Sequence, residues 1–233
     1  MAKKMYVGVN GVARKITSAY VGVNNIARKI TKGYVGVGGI ARQFWPGGVL
    51  TYYGTATPLS DERYYLAATT VGNYALFGGG LAAANKLNVV DAYDASLTRS
   101  MPTALSQKRA ALAATTVGNY ALFGGGDTSG AVVDAYDISL TRSTPTNLSY
   151  AREKLAATTV VNYALFGGGF SGNARYSSAV VDAYDANLIR SIPSELDEAR
   201  STFAATTVSN YALFGGGKTS GSYSSTVDVY TIS

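Results

Sequence analysis

Apolar residues alternate with polar ones or run in blocks of four to six, and glycines interrupt every block before a helical period can develop. The same text returns four times: "AATTV", a two-residue gap containing Asn, then "YALFGGG", ending at Gly80, Gly126, Gly169 and Gly217. Val, Thr, Tyr and Leu dominate these blocks, as suits a pleated surface buried between neighbours. A helix needs about ten unbroken residues, and glycine recurs too often for that. Each block therefore predicts strand, turn, strand.

Spacing extends the pattern to a full unit. From the Arg that opens each copy (Arg63, Arg109, Arg152, Arg200), the first glycine of the triplet follows after 15 residues every time. From Asp91, Asp134 and Asp182 of "VVDAYD" to the next such Arg is always 18 residues. All length variation lies between glycines and Asp, in loops 81–89, 127–132, 170–180 and 218–226. Each unit predicts four strands, "LAATTV", "NYALFGG", "VVDAYD" and "LTRSMP", and repeats of about 40 to 50 residues with four strands are the pattern of β-propeller blades.

The last unit stops after its third strand, while "VLTYYGTATPLSDER" ahead of Arg63 aligns with "SLTRSMPTALSQKR" and offers an orphan fourth strand. Pairing the two would shut a four-bladed ring and remove two exposed sheet edges. Strand exchange between two chains, giving a larger ring, is the alternative. The expected fold class is thus all-β: a four-bladed propeller over 49–233, closed by pairing of its N- and C-terminal strands.

Residues 1–48 follow another rhythm. Units of 14 residues begin at Tyr6, Tyr20 and Tyr34, and each reads as strand, two-residue turn, strand. Asn10-Gly11, Asn24-Asn25 and Gly38-Gly39 tolerate the positive φ of a tight hairpin turn, so a six-stranded meander is expected.

Charge divides the chain at the same place. Residues 1–47 carry eight Lys or Arg and no acid, whereas the remainder carries twelve basic and fourteen acidic groups. Arg14, Lys15, Arg28, Lys29 and Arg42 are candidate docking residues. Strand alternation sends the members of each Arg-Lys pair to opposite faces, which argues against a continuous nucleic-acid surface and for a solvated meander or a docking surface against an acidic partner.

The chemistry is narrow. With no Cys and no His, thiolate and imidazole ligands, thiol nucleophiles and His acid–base work are excluded, and no cofactor or metal is expected. The glycine triplets lie between strands and lack the strand-to-helix setting of a dinucleotide fingerprint, so they are expected to serve close backbone approach and unusual φ. The repeated Asp residues are expected to make turn or inter-blade hydrogen bonds, and the repeated Arg residues to clamp one blade to the next. Paired carboxylates for glycan hydrolysis would have to come from Asp61, Glu62, Glu195, Asp197 and Glu198 in the linkers. The expectation is no enzyme.

An Arg, an apolar strand, "YALFGG", a loop and "VVDAYD" together resemble the kelch repeat over residues 49–233, although the Trp usual in its fourth strand is absent from "LTRSM", "LTRST" and "LIRSI". The "YVGVNGVARK" units are similar to tandem repeats in proteins encoded by phages and prophages of Gram-positive bacteria. That resemblance implies a virion protein, of tail-fibre or similar type, whose first segment docks on other virion proteins and whose second recognises a host-surface glycan or protein, in a homo-oligomer. The architectural alternative is decoration or self-assembly of a virion or tubular particle. No stretch of about 18 apolar residues predicts a membrane span, and the N-terminus lacks the apolar core of a secretory signal. Synthesis in the host cytoplasm and release by lysis would fit both.

Within the propeller, the loops after strand two and the linkers after strand four are expected on one face. The loops mix Tyr with Ser, Gly and Asn, a composition suited to adaptable contacts. Tyr176, Arg175 and Tyr223 are the first candidates for ligand contact, with Phe170 and Lys218 beside them.

Overall fold

The computed structural model describes the strand backbones 6–9, 12–15, 20–23, 26–29, 34–37 and 40–43, and residues 50–126, 131–172 and 176–232 with side chains. It comprises two units, Met1–Thr55 and Ala56–Ser233. Every sheet is antiparallel, and no helix occurs among the described residues.

In the first unit β1 (Tyr6–Val9) pairs with β2 (Val12–Lys15), β3 (Tyr20–Val23) with β4 (Ile26–Lys29) and β5 (Tyr34–Val37) with β6 (Ile40–Gln43). The registers Val9↔Val12, Val23↔Ile26 and Val37↔Ile40 leave two residues between partners, as the turn pairs predict. The turn residues themselves lie outside the described residues. Among those that are described, the hairpins form three separate two-stranded sheets and not the expected six-stranded meander.

The second unit repeats one sheet. The first contains β7 (Ala67–Val71), β8 (Tyr74–Gly78), β11 (Val90–Tyr93) and β12 (Arg99–Ser100), with β9 (Leu81–Ala82) and β10 (Asn85–Lys86) paired in its loop. The second is β13 (Ala113–Val117), β14 (Tyr120–Gly124), β15 (Val133–Asp137) and β16 (Arg142–Ser143). In the third, β17 (Ala156–Val160), β18 (Tyr163–Gly167), β21 (Val181–Asp185) and β22 (Arg190–Ser191) follow the same order, and the loop holds β19 (Phe170–Ser171) and β20 (Tyr176–Ser177). The fourth has three strands, β23 (Ala204–Val208), β24 (Tyr211–Gly215) and β25 (Val227–Thr231). Registers are identical from copy to copy, such as Val117↔Tyr120 and Val160↔Tyr163.

Inside each sheet an Arg and an Asp form the polar centre. Arg109 Nη2 meets Asp134 Oδ2 at 2.5 Å and also donates to the carbonyl of Phe123, while Arg142 reaches the other carboxylate oxygen at 3.1 Å. Arg152, Asp182 and Arg190 repeat the arrangement, and so do Arg63, Asp91 and Arg99. Burial pushes the Arg109 and Arg152 guanidinium groups below their usual range, and the facing carboxylates oppose that shift. The expected inter-blade clamp is therefore corrected: the Arg side chain serves its own sheet, because its buried carboxylate partner is there. Its carbonyl makes the link to the preceding sheet, accepting from Gly80 N, Gly126 N and Gly169 N at 2.9 to 3.0 Å. The Asp residues hold these ion pairs and also make the expected bonds to the linker between sheets: Asp134 accepts from Ser106 and Asp182 from Ser149, each through the backbone N–H at 3.0 Å and the hydroxyl at 3.1 Å.

Sheets stack through one junction used three times. Phe123, Phe166 and Phe214 lie over the first glycine of the preceding triplet, so closely that a Cβ on Gly78, Gly124 or Gly167 would come within 2.7 to 2.8 Å of the ring. This fixes why the first glycine recurs. The second, with φ between +56° and +73°, turns the chain out, in the first three copies beside the Arg carbonyl of the next repeat. Thr69–Thr116, Thr115–Thr159 and Thr158–Thr207 hydroxyl pairs at 2.7 to 2.9 Å bridge successive first strands. Three apolar clusters, one per junction, form the core.

Among the described residues the closing strand is not present. Residues 50–57 contain no strand, Leu50, Tyr52 and Tyr53 are exposed, and β25 pairs only with β24. Among the described elements, nothing packs on the far side of β23 as β23 packs on β17. The structure shows stacked antiparallel sheets with an open final edge, and no closed four-bladed ring.

Candidate functional site: an aromatic and basic cleft on the loop side

Loops and linkers do share one side of the sheets. Phe170 exchanges backbone hydrogen bonds with Glu153 at 2.7 and 3.0 Å, and Lys218 does so with Ser201 at 2.8 and 3.0 Å. The equivalent pair in the first repeat is Tyr64 with Leu81. Each pairing seats the start of the variable loop against the segment that carries the Arg, because the second and third glycines have turned the chain in that direction.

In the third repeat, β19 and β20 make a short hairpin with Ser171 opposite Tyr176. Tyr176 thereby stands out from the surface, 60% exposed. On one side it borders a cleft of about 540 Å³ with Phe170, Lys154, Thr202, Lys218 and Thr219. On the other it borders a second hollow of about 350 Å³, where Tyr150, Ser171 and Ser178 face it. Lys154 Nζ lies 5.8 Å from the centre of the Phe170 ring, within cation–π range. Ser177, beneath Tyr176, donates to the Lys218 carbonyl at 3.3 Å and so ties the third loop to the fourth.

Phe170, Tyr176 and Lys218 thus come together, although they stem from two different repeats. Tyr223 is bridged to Lys218 across the fourth loop and is strongly exposed beside the cleft. Arg175 lies outside the described residues. Lys154, Tyr150 and Tyr65, which also line these clefts, are additions to the candidate set. A signal for Lys154 exists: the position two residues after the Arg reads Tyr65, Ala111, Lys154 and Thr202, a site of free choice inside a repeat that otherwise copies itself.

Of the basic hairpin candidates, Arg14, Arg28 and Arg42 occupy one register position, opposite Val7, Val21 and Val35. Lys15 and Lys29 stand opposite Tyr6 and Tyr20. Among the linker acids, Glu198 accepts from Ser224 and Asp61 from Ser60. No group of three or more acidic side chains able to hold a metal occurs among the described residues. No helix there is long and apolar enough to cross a membrane.

The exposed rings of Tyr65, Tyr150 and Tyr176, the Phe170 ring with an ammonium group over it, and a rim of hydroxyls can stack on a ring, donate to its oxygens and offset negative charge. The sequence matches no model of a known protein family, and no curated protein matches it.

Proposed function

We propose that the protein is a non-enzymatic recognition protein of a phage virion surface, of tail-fibre or receptor-binding type. Its four sheets are kelch-like propeller blades, and their loop side binds a host-surface glycan or protein. The basic hairpins attach the chain to other proteins of the particle, which is made in the host cytoplasm and freed by lysis. The observation that carries the binding reading is the meeting of Phe170, Tyr176 and Lys154 of the third repeat with Lys218 of the fourth at one cleft, which Tyr65 of the first repeat also lines. Sugar rings present an apolar face for stacking and a rim of hydroxyls for charged donors, and this cleft supplies both partners. The phage setting rests on the likeness of the 14-residue units to repeats of phage-encoded proteins.

Replacing residues 170–180 by a Gly-Ser linker, and separately Tyr176→Ala, tests the reading on whole cells and on a glycan array. Binding is expected to fall at least about tenfold, a loss of about 1.4 kcal/mol, with the thermal melting curve unchanged. Undiminished binding by both variants would remove the cleft from the function. The second reading, an architectural element of a particle or tube, is favoured by the open face of the fourth repeat.

A further inference from the structure

The fourth repeat presents to solvent what the other three bury. Val208 is 59% exposed where Val71, Val117 and Val160 are at most 2%, and Val227 is 53% exposed where Val90, Val133 and Val181 are at most 1%. Val229 adds a third exposed apolar group in a position that is Ala92, Ala135 and Ala183 elsewhere, all buried. Gly215, alone among the first glycines of the triplets, has no Phe above it; the nearest atom to a Cβ there would be Val227 Cγ2 at 3.6 Å. Beside this face β25 keeps a free edge, whereas β11, β15 and β21 each carry a fourth strand.

The first repeat presents the opposite half. Leu59, Ala75, Phe77 and Tyr93 line an open apolar depression. Their counterparts at the next junction, Leu105, Ala121, Phe123 and Tyr136, are fully buried against Val71, Leu76, Val90 and Ala92. The polar ladder ends in the same complementary way. The Thr series leaves Thr206 at one end and Thr70 at the other, and the Gly-to-Arg series leaves Gly217 N and Arg63 O.

We infer that the open face of the fourth repeat binds the first repeat of a second copy of this chain, head to tail, through a fourth instance of the internal junction. In that junction Phe77 of the incoming copy covers Gly215, and its segment 50–54 adds to the β25 edge as β12 does to β11. A heterologous contact of this kind closes into a ring or continues as a filament according to the rotation per repeat. The inference is independent of what the loop cleft binds, since the residues involved are different.

The test uses the full chain in sedimentation velocity over a hundredfold concentration range. Species heavier than one chain are expected to grow with concentration. Gly215→Val fits the free face without a clash but occupies the seat of Phe77, and Phe77→Lys places a charge in the opposite half; each alone is expected to hold the chain at single-chain mass. An equimolar mixture of the two retains one intact junction and is expected to form a species of two chains and no larger. Circular dichroism melts confirm that both variants fold. Wild-type protein that stays single at every concentration, variants that assemble as wild type does, or a mixture that stays single would each overturn the proposal.

Discussion

The third and fourth repeats spell nearly the same strands, yet Val160 is 2% exposed and Val208 59%. The two residues differ in neither type nor register; one has a following sheet and the other does not. Burial in this molecule is thus a property of the junction and not of the strand. Each sheet supplies knobs, Phe and Tyr set edge to face at 5.8 to 6.0 Å, to one neighbour, and offers glycine and small apolar sockets to the other. A solenoid-like array built this way gains stability from each interface between neighbours, so inner and outer copies of one residue should respond differently to the same change.

The largest difference is expected at the ion pairs. Arg152 and Asp182 are completely buried, while Asp228, the partner of Arg200, is 13% exposed. Arg152→Ala takes from Asp182 its fully buried partner, leaves it only the partly exposed Arg190 at 3.1 Å as counter-charge, and empties a buried guanidinium site, so stability should fall by about 3–5 kcal/mol. Arg200→Ala leaves a carboxylate that water reaches, and a cost of about 1–3 kcal/mol is expected. Urea unfolding of both variants checks the order. Equal losses would mean that the fourth sheet is as dry in solution as the third.

Much of this was legible in the sequence. Constant spacing from Arg to glycine and from Asp to Arg located the strands and the variable loops, and the loops' Tyr and Lys pointed to the cleft. Closure was not legible. The alignment of "VLTYYG" with "SLTRSM" shows that a strand could form there, but whether it meets β25 of its own chain depends on the rotation between sheets. That rotation is set by how Phe123 seats over Gly78 and by the Thr–Thr pairs, contacts that periodicity does not encode. The role of Arg was misplaced for a related reason: its carbonyl and its side chain serve different sheets, and sequence spacing treats them as one point.

A smaller effect separates the glycines. A Cβ on Gly124 would meet Phe166 at 2.7 Å, and one on Gly215 would meet only Val227 Cγ2 at 3.6 Å, an ordinary contact. Neither needs a left-handed backbone, so only the neighbour matters. Gly124→Val should overpack the junction at a cost of about 1–3 kcal/mol. Gly215→Val, measured in dilute solution, should stay within about 0.5 kcal/mol of wild type. If both variants lost the same stability, the strain would lie in the strand and the junction would have no part in it.

The smallest expected effect turns on the tight link between the first two strands of each sheet. Gly72 and Gly118 take φ of +53° and +54° at its first position, and Val161 and Ser209 are held at +51° and +54° in the other two copies. A side chain at such φ costs about 1–2 kcal/mol, and more is asked of a β-branched one. Val161 recovers little by packing, since it is more than half exposed. Glycine removes that strain but enlarges the entropy of the unfolded chain, which costs about 0.5–1 kcal/mol. Val161→Gly should therefore raise stability by about 0.5–1 kcal/mol, read as a higher urea midpoint with an unchanged slope. Gly118→Val should do the reverse and by a larger margin, because its Cβ also meets Ala186 at 3.2 Å. A neutral Val161→Gly would show that the third copy's turn relaxes out of the left-handed region, and that the repeats differ at a point where their registers are identical.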